Sequence, residues 1–422
     1  MSFSKNDLDI IKSKISIRNE LEKKTKLVRK GKDYWCCCPF HEEKTPSCKI
    51  NDESSSYYCF GCGAKGDIFT LYTDLYNYNF IDAVKELSQR AGVQINFEST
   101  KKSKQENRIE EIMKISCLWF QQNLNHPAAN NCNNYLKERK LTKETIDKFK
   151  LGFSYNSNLS LYEYLKSKSF TEDELLKSNI VKLDKNKKFR DYFYRRLIFP
   201  IMNIQGKVVG FGGRALDNSM PKYINSPESD IFKKRYLLYN LNLAKNSARK
   251  KNNLLICEGY MDVISLNQNG ISSVVAPLGT ALTEDQLNLS WVYSSKPTIM
   301  FDGDTAGIRA AYKSSIMSLP LLTPKKLLQF ITLPNNFDPD TYINAVSLKQ
   351  FISKLKKPEP ITEFIINQSI KTVALEKVDE KISYDNYLDE LLATIQDKKI
   401  QYFYKNEFKS LFFKKIREIN NN

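Results

Sequence analysis

Cysteine and histidine residues near the N-terminus have the spacing of a metal site. Six of the nine cysteines and one of the two histidines lie between residues 36 and 62. Two pairs, Cys38 with His41 and Cys59 with Cys62, each place two residues between their members, and 17 residues separate the pairs. Zinc binds four nitrogen or sulfur ligands in a tetrahedron, and two such pairs supply them. The four residues are therefore predicted to hold one structural zinc ion.

The surrounding sequence indicates a small β-rich module. Gly61 and Gly63 give the second turn backbone freedom, and SCKINDESSSYYCF has the polar centre of a β-hairpin. Two helices are predicted to begin after Asp67 and Asn79, the second ending at Gly92. A redox Cys-x-x-Cys beside an unrelated histidine is the alternative, but no βαβ pattern of the thioredoxin type surrounds it. Three cysteines then have no ligand role: Cys36, Cys37 and Cys48.

Acidic residues form the second group that could do chemistry. They occur in the motifs EGYMD, DGD and DPD, each near the end of a predicted strand. Asp302 and Asp304 are two apart, so an extended segment would point both the same way. Glu258 and Asp262 are four apart and would stack if a helix began at Gly259. The acids predicted to form one cluster are Glu258, Asp262, Asp302, Asp304, Asp338 and Asp340.

Six carboxylates at one edge of a sheet would repel one another unless cations neutralise them. Hard oxygen ligands select Mg²⁺ or Mn²⁺. Two such ions about 4 Å apart would activate an attacking oxygen and stabilise a leaving one in phosphoryl transfer. A lone DPD or EG would be explained as well by an exposed loop acid. Three motifs in this order on successive strand ends favour the metal site.

Strands and helices alternate between about residues 252 and 345, as they do around a parallel sheet. The apolar runs NNLLIC, ISSVVAPLG and KPTIMF are each followed by a helical segment. One of these segments, TEDQLNLSW, opens with a capping box formed by Thr283 and Gln286. Such alternation predicts right-handed crossovers. Ligands of these sheets bind beyond the carboxyl ends of the strands, where the acids lie.

Basic and aromatic residues are interleaved just upstream. LIFPIMNI and VVGFGGR flank Gln205 and Gly206 as a predicted hairpin, and Arg214 ends the second run. The next stretch, PKYINSPESDIFKKRYLLYN, adds Lys222, Lys233, Lys234 and Arg235. Cations among aromatic rings suit single-stranded nucleic acid. A merely solvated charged face explains the pattern equally well.

The composition favours a polyanionic partner. The 422 residues carry 65 Lys and Arg against 48 Asp and Glu, a formal net charge of +17. This excess favours nucleic acid or an anionic membrane surface, although a general lysine bias contributes to it. The sequence shows no run of 18 apolar residues and no apolar signal core. Nine partly clustered cysteines are unlike a secreted disulfide framework, so a cytoplasmic protein with reduced thiols is predicted.

Several long motifs resemble those of bacterial replicative primases of the DnaG type. CCPFHEEKTPS…YYCFGCGAKGD is similar to their zinc-binding module. RLIFPI…GKVVGFGGRAL…PKYINSPESDIFKK is similar to the basic subdomain of their RNA polymerase core. EGYMDVISL…APLGTALT…FDGDTAGIRAA…DPDTYI resembles their Toprim fold, and PITEFIINQS…YLDELLATIQDKKIQYFYKNEF the helical subdomain that ends the core.

The resemblance implies a multidomain chain of the α+β and α/β classes. Residues 1–98 would form a zinc-ribbon domain, and the polar segment 99–107 a linker. A mixed α/β basic subdomain would occupy 108–250, the Toprim parallel-sheet catalytic subdomain 251–345, and a helical subdomain 346–422.

The resemblance also implies synthesis of short RNA primers from NTPs on single-stranded DNA at the replication fork. A 3′-hydroxyl, or that of the first nucleotide, would attack an α-phosphate and release pyrophosphate. Glu258, Asp302 and Asp304 would hold catalytic Mg²⁺ or Mn²⁺, with the other three acids completing the cluster. The zinc module would help to choose the template start. The residues at the family's template and nucleotide contacts are Arg196, Arg214, Lys222, Tyr223, Asn225 and Lys234.

The sequence departs from the family pattern in a few places. Tyr192 and Tyr194 stand where arginines are usual, although Arg195 could compensate, and Arg235 follows Lys234 where glycine is common. Family members generally carry a further helical domain that docks on the replicative helicase, and this sequence stops at Asn422 without it. Either the sequence is part of a longer chain or the protein primes without that domain. A monomer that binds template, NTPs and nascent primer, and no membrane, is expected.

Other functions fit the motifs less well. A helicase–primase fusion needs a G-x-x-x-x-G-K-[ST] loop, which does not occur. A type I topoisomerase shares the Toprim acids but needs a nucleophilic tyrosine in a longer chain, and an OLD-type nuclease normally carries an ATPase. A non-catalytic single-strand binder would keep the zinc module and the basic face. It would have no need of the acids in EGYMD, DGD and DPD.

Overall fold

A computed structural model describes residues 5–31, 33–76, 78, 80–93, 100–155, 159–217, 219–279, 281–373 and 375–420. The chain divides into two compact units. One comprises residues 1–107 with 249–251, and the other comprises 108–248 with 252–422. Within the described residues, no helix has both the length and the apolar content that a membrane span requires.

The first unit contains an antiparallel five-stranded sheet in the order β1-β2-β3-β4-β5. The predicted hairpin is confirmed, because β3 and β4 pair with Cys48 opposite Cys59. Asp67 caps the following helix by accepting a hydrogen bond from the Thr70 N–H at 2.9 Å, as predicted. Gly92 ends the next helix with φ +61°, and Asn79 lies outside the described residues. The elements are α1 (Lys5–Lys14), α2 (Ile17–Glu22), β1 (Val28–Lys30), β2 (Asp33–Cys36), β3 (Cys48–Asn51), β4 (Ser56–Cys59), β5 (Lys65–Asp67), α3 (Ile68–Leu75) and α4 (Phe80–Ala91).

The segment 99–107, expected to be a linker without regular structure, is helical from Thr100 onward. The sequence did not predict this helix, because its first residues are polar and form no apolar stripe. The helix becomes apolar on one side only further along, where Ile112 and Phe120 are buried. The two units divide between residues 107 and 108, within this helix.

The second unit begins with a mixed helical and antiparallel part, with a sheet in the order β11-β10-β9-β6. The predicted hairpin around Gln205 and Gly206 is present as β9 and β10. The elements are α5 (Thr100–Asn123), α6 (Asn130–Glu138), α7 (Lys143–Lys148), β6 (Gly152–Ser154), α8 (Leu161–Ser167), α9 (Glu172–Lys177), β7 (Val181–Leu183), β8 (Phe189–Asp191), β9 (Arg196–Met202), β10 (Val208–Ala215), β11 (Tyr223–Asn225), β12 (Leu238–Tyr239) and α10 (Leu241–Lys251).

Close packing explains the glycines of FGGR in β10. A Cβ at Gly212 would lie 2.6 Å from the Tyr260 ring, and one at Gly213 would lie 2.6 Å from the Phe193 ring. Because real Cβ atoms do not approach other atoms so closely, only glycine fits at either position. These two glycines therefore serve the packing of the sheet.

A six-stranded sheet follows, in the order β12-β14-β13-β15-β16-β17. The prediction of a parallel sheet is confirmed for the four central strands. The two edge strands are antiparallel to their neighbours. The capping box of Thr283 and Gln286 is also present. The elements are β13 (Leu255–Ile256), α11 (Tyr260–Gln268), β14 (Val274–Pro277), α12 (Glu284–Trp291), β15 (Thr298–Ile299), α13 (Thr305–Ser318), β16 (Gln329–Phe330), α14 (Pro339–Ala345), α15 (Leu348–Leu355) and β17 (Glu359–Pro360).

Three helices close the chain and share one core with the parallel sheet. They are α16 (Ile361–Ser369), α17 (Val378–Ala393) and α18 (Lys398–Asn420). Phe364 of α16 stacks on Phe330 of β16, with ring centroids 4.1 Å apart. Both rings are almost fully buried, which fixes α16 against the sheet.

Candidate functional site

The first unit brings the four predicted zinc ligands together. Cys38 Sγ lies 3.6 Å from Cys62 Sγ, and Cys59 Sγ lies 3.9 Å from His41 Nδ1. All four ligand atoms lie within 4.8 Å of one another. Zinc–sulfur bonds of about 2.3 Å in a tetrahedron would separate two sulfurs by roughly 3.8 Å. The donor set and its spacing therefore fit zinc.

Glu43 supports this site, and the sequence analysis missed it. Its Oε2 lies 3.2 Å from His41 Nε2, the ring nitrogen other than the one nearest Cys59. Its Oε1 accepts hydrogen bonds from the Cys38 N–H at 2.6 Å and the Ser47 N–H at 3.2 Å. A carboxylate on the distal nitrogen of a metal-binding histidine fixes the ring and its tautomer. The only sequence signal was an acid two residues after the histidine.

Glu258 and Asp302 lie next to each other in the second unit. They follow the neighbouring parallel strands β13 and β15, and the Asp302 N–H donates to Glu258 Oε1 at 3.0 Å. Asp302 Oδ1 is buried and has no hydrogen-bond partner among the described residues. Burial, followed by the charges of Glu258, Asp338 and Asp304, raises the pKa of Asp302 to about 7. Burial is also the main cause that raises the pKa of Glu258, with Asp304 adding to it.

These features fit a divalent cation. A buried carboxylate oxygen without a partner is costly, and carboxylates held close together repel. Oxygen donors are the ligands that Mg²⁺ and Mn²⁺ prefer. Among the described residues, however, the four Cys and His ligands form the one group in which three or more possible metal-binding atoms lie within 4.8 Å of one another, and the acids do not form such a group. The acids are therefore more widely spaced than the zinc ligands.

Asp304 and Asp338 begin helices and keep part of their binding capacity. Asp304 Oδ1 accepts from the Gly307 N–H at 2.8 Å and caps α13. Asp338 Oδ1 accepts from the Thr341 N–H at 2.6 Å and caps α14. Each cap uses the Oδ1 atom of the carboxylate, so the Oδ2 atom takes no part in the cap and could bind a cation.

Asp262 and Asp340 have both oxygens engaged. Asp262 Oδ2 accepts from the Gly259 N–H at 3.0 Å, and its Oδ1 from the Asp340 N–H at 3.4 Å. Asp340 accepts from Arg139 Nη1 at 2.6 Å and from Asn344 Nδ2 at 3.0 Å. These two acids, which were predicted to complete the acidic cluster, therefore also hold neighbouring segments together.

The predicted stacking of Glu258 on Asp262 is wrong. The helix begins at Tyr260, so Glu258 lies before it, and the Asp262 carboxylate accepts a hydrogen bond from the Gly259 N–H.

Glycine is required at position 307, because a Cβ there would lie 2.5 Å from Glu258 Oε1. The first turn of α13 can therefore pack directly on the acids.

Arg214 and Tyr223 pair across β10 and β11. The Arg214 guanidinium lies 4.0 Å from the Tyr135 ring centroid and 5.9 Å from that of Tyr223. Arg214 Nε is buried and has no hydrogen-bond partner in the part of the chain that the structure describes. Asn225 Oδ1 accepts from the Tyr260 hydroxyl at 2.6 Å, which joins β11 to the helix of the EGYMD motif. Three of the predicted nucleic-acid contacts thus lie on strands that touch the acidic region.

Arg196 has a different environment from the one predicted. Its side chain is buried, and Nη1 donates to the backbone carbonyls of Gly213, Pro221 and Lys222 at 3.0–3.3 Å. Burial lowers the pKa of its guanidinium. The residue therefore holds β9, β10 and the Pro221 loop together, and we expect it to stabilise the fold more than it contacts a template.

We expect Arg196→Ala to lower the free energy of unfolding of the second unit by about 2–3 kcal/mol, because three charged hydrogen bonds from a buried side chain to backbone carbonyls are lost. The exposed Arg190, paired with Asp184 at 3.1 Å, is the control, and Arg190→Ala should cost less than about 1 kcal/mol. Thermal unfolding of both variants measures the difference. Equal stabilities, with single-stranded DNA binding lost only in Arg196→Ala, would instead make Arg196 a template contact.

The remaining predicted contacts lie at the surface. Lys222 is exposed, and Lys234 is half-buried in a 3-10 turn, with Nζ 6.0 Å from the Phe232 ring centroid. Arg235 is paired with Asp285 at 2.6 Å. Tyr192, one of the tyrosines in place of arginine, donates its hydroxyl to the Asn225 carbonyl at 3.4 Å, and Tyr194 is exposed.

Family models match this chain in three consecutive parts. The CHC2 zinc finger matches residues 3–103, the N-terminal domain of the DNA primase catalytic core matches 119–245, and the Toprim domain matches 252–327. The chain is 34% identical over 394 residues to DNA primase of Buchnera aphidicola, covering 93% of this chain and 68% of that relative. It is 32% identical over 392 residues to DNA primase of Escherichia coli K12, covering 92% and 68%.

Solved structures show the same relationship. The zinc-binding and RNA polymerase domains of the Aquifex aeolicus primase match with a TM-score of 0.63 at 28% identity, over 97% of both chains. A DnaG primase catalytic domain bound to ssDNA matches with a TM-score of 0.65 at 31% identity, over 73% of this chain and all of that one.

Proposed function

This chain belongs to the bacterial DNA primases of the DnaG type, and we propose that its acidic site joins ribonucleotides on a single-stranded DNA template with Mg²⁺ or Mn²⁺. The products would be short RNA primers. The cell compartment would be the bacterial cytoplasm, where replication takes place.

The buried, partnerless Asp302 Oδ1 is the observation that carries this proposal. It lies beside Glu258, and burial, followed by the charges of the neighbouring carboxylates, raises the pKa of Asp302 to about 7. A fold that keeps such a group needs a cation or a proton to offset its charge. The position beyond the carboxyl ends of parallel strands is where ligands of such sheets bind.

Glu258, Asp302, Asp304 and Asp338 would hold the cations. When bound, divalent ions lower the pKa of an attacking hydroxyl and offset charge on the phosphate oxygens. Asp262 and Asp340 would position the site through their backbone and Arg139 contacts. In the reaction, a 3′-hydroxyl oxygen bonds to the α-phosphorus while the bond to the pyrophosphate oxygen breaks, and the hydroxyl proton passes to solvent.

The strands β10 and β11 would guide the template and the nucleotides. Arg214, held against two tyrosine rings, presents a fixed cation, and Tyr223 offers an aromatic face. Exposed lysines such as Lys222 would follow the phosphate backbone. The similar DnaG primase catalytic domain bound to ssDNA supports single-stranded DNA as the ligand.

Template-dependent incorporation of labelled ribonucleotides tests the proposed function. The full, zinc-loaded chain should extend RNA on single-stranded DNA when Mg²⁺ is present, and should not do so when Mg²⁺ and Mn²⁺ are left out. Products that form without DNA, or without added Mg²⁺ or Mn²⁺, would contradict the proposal.

Lys234→Ala should weaken single-stranded DNA binding and reduce the slope of log Kd against log salt concentration by about one, because one phosphate contact is lost. Lys399→Ala, which removes an exposed lysine of α18, is the control of equal charge and should leave the slope unchanged. The measurement is a fluorescence titration of a labelled oligonucleotide at several salt concentrations. Identical slopes for both variants would remove Lys234 from the template path.

A further inference from the structure

A pocket of about 690 Å³ lies between α13 and the C-terminal helices of the second unit. One wall comes from α13, beginning at Thr305, and the other from the end of α16 and the middle of α17. Its volume is in the range of small-molecule sites, about 300–1,000 Å³. None of the functions described above uses it.

Aromatic rings form the inner part of this pocket. Tyr312 of α13 faces Tyr384 and Tyr387 of α17. The hydroxyls of Tyr312 and Tyr387 are hydrogen-bonded to each other, and that of Tyr384 pairs with the Ser369 hydroxyl at 2.6 Å. Because these hydroxyls already have partners, the surfaces left for a ligand are ring faces and edges. Such surfaces favour a flat aromatic group.

Basic side chains form the outer part of the pocket. Arg309 and Lys313 are exposed and lie one helical turn apart on α13, and Lys371 faces them from beyond α16. Within the described residues, none of the three forms an ion pair, and no carboxylate lines the pocket. Lys371 Nζ donates to the neutral Gln368 Oε1 at 3.0 Å, and its charge also interacts with that of Glu359, which does not line the pocket. The three charges are therefore available to an anion.

We propose that this pocket binds a free nucleoside triphosphate, with the base among the tyrosines and the phosphates on Arg309, Lys313 and Lys371. A nucleotide combines the flat aromatic group and the multiple negative charge that the two parts of the pocket favour. The site is distinct from the acidic one, although both involve α13. Asp304 caps that helix, and Thr305, the next residue, lines the pocket.

Isothermal titration of ATP into the full, zinc-loaded chain tests this second site. With no Mg²⁺ or Mn²⁺ added to the buffer, the acidic site repels the triphosphate, so binding reports the pocket. The double variant Arg309→Ala/Lys313→Ala should bind ATP at least about tenfold more weakly, the equivalent of about 1.4 kcal/mol. Lys399→Ala/Lys409→Ala removes two exposed lysines of α18 and should bind ATP as the wild type does. Asp302→Asn should bind it no more weakly than the wild type.

Two further measurements distinguish a specific pocket from nonspecific electrostatic attraction of ATP to a basic protein. Ser383→Trp places a large ring in the pocket from an exposed position of α17 and removes no charge, so it should also weaken ATP binding at least tenfold. Inorganic tripolyphosphate should bind at least tenfold more weakly than ATP, because it has no base. Thermal unfolding confirms that each variant is folded.

Three results would overturn the nucleotide site. They are an absence of ATP binding without added divalent ions, equal weakening by both double variants, or tripolyphosphate binding as tight as that of ATP. A 5′-phosphorylated oligonucleotide that displaces ATP at lower concentration than ATP itself would assign the pocket to a strand end instead. Because none of these measurements follows primer synthesis, a negative result for the pocket would not contradict the proposed polymerase activity.

Discussion

Asp302→Asn should reduce ribonucleotide incorporation by about a thousandfold while single-stranded DNA binding stays the same or becomes tighter. The substitution keeps the shape of the side chain but removes its negative charge and replaces one carboxylate oxygen with an amide nitrogen, which does not bind a cation. Losing about 4 kcal/mol of charge stabilisation in the transition state corresponds to this factor. DNA binding should survive because a negative charge is removed and no basic residue is changed.

Asp173→Asn is the matched control, since Asp173 is exposed on α9 and pairs only with Lys177, at 2.7 Å. It should incorporate ribonucleotides as the wild type does. Both variants are assayed on one template at saturating Mg²⁺, with DNA binding measured in parallel. Primers made by Asp302→Asn at more than a tenth of the wild-type rate would show that the acidic site is assigned wrongly.

Cys59→Ser should release the zinc and unfold the first unit. Structural zinc contributes about 10–16 kcal/mol of apparent binding free energy in small modules. This exceeds most of the roughly 5–15 kcal/mol by which an ordinary domain is stable. Cys59 lies in the centre of the site, since its Sγ approaches His41 and accepts from the Cys62 N–H at 3.3 Å. The change should therefore be visible as loss of bound zinc and rapid proteolysis before about residue 108.

Cys37→Ser is the control for this variant, because Cys37 lies beside a ligand but outside the group of four. It should keep one zinc ion per chain and resist protease as the wild type does. Colorimetric zinc release and limited proteolysis measure both variants. One full equivalent of zinc in Cys59→Ser would contradict the ligand set, as would zinc lost equally from Cys37→Ser.

The parts of this protein that follow from local sequence were predictable. The two pairs of zinc ligands each lie within one turn, so their spacing alone indicates the site. The hairpin of β9 and β10 and the capping box at Thr283 are also local patterns. The acids follow strands of one parallel sheet, and sheet topology brings the carboxyl ends of such strands together.

Contacts between distant segments were not predictable from these patterns. Arg139 pairs with Asp340 across 201 positions of sequence, and no periodicity indicates such a contact. Arg196 was predicted as a template contact from its position in the family pattern, yet it donates to three backbone carbonyls. The antiparallel edge strands β12 and β17, of two residues each, are too short to show a pattern.

Divalent-ion binding tests the central claim, that Glu258, Asp302 and their neighbours hold catalytic cations. Mn²⁺ would be titrated into the full, zinc-loaded chain, and the free ion followed by electron paramagnetic resonance. The wild type and Asp173→Asn should bind at least one Mn²⁺ with equal affinity, and Asp302→Asn should bind it at least about tenfold more weakly. Equal Mn²⁺ binding by all three proteins would contradict the claim.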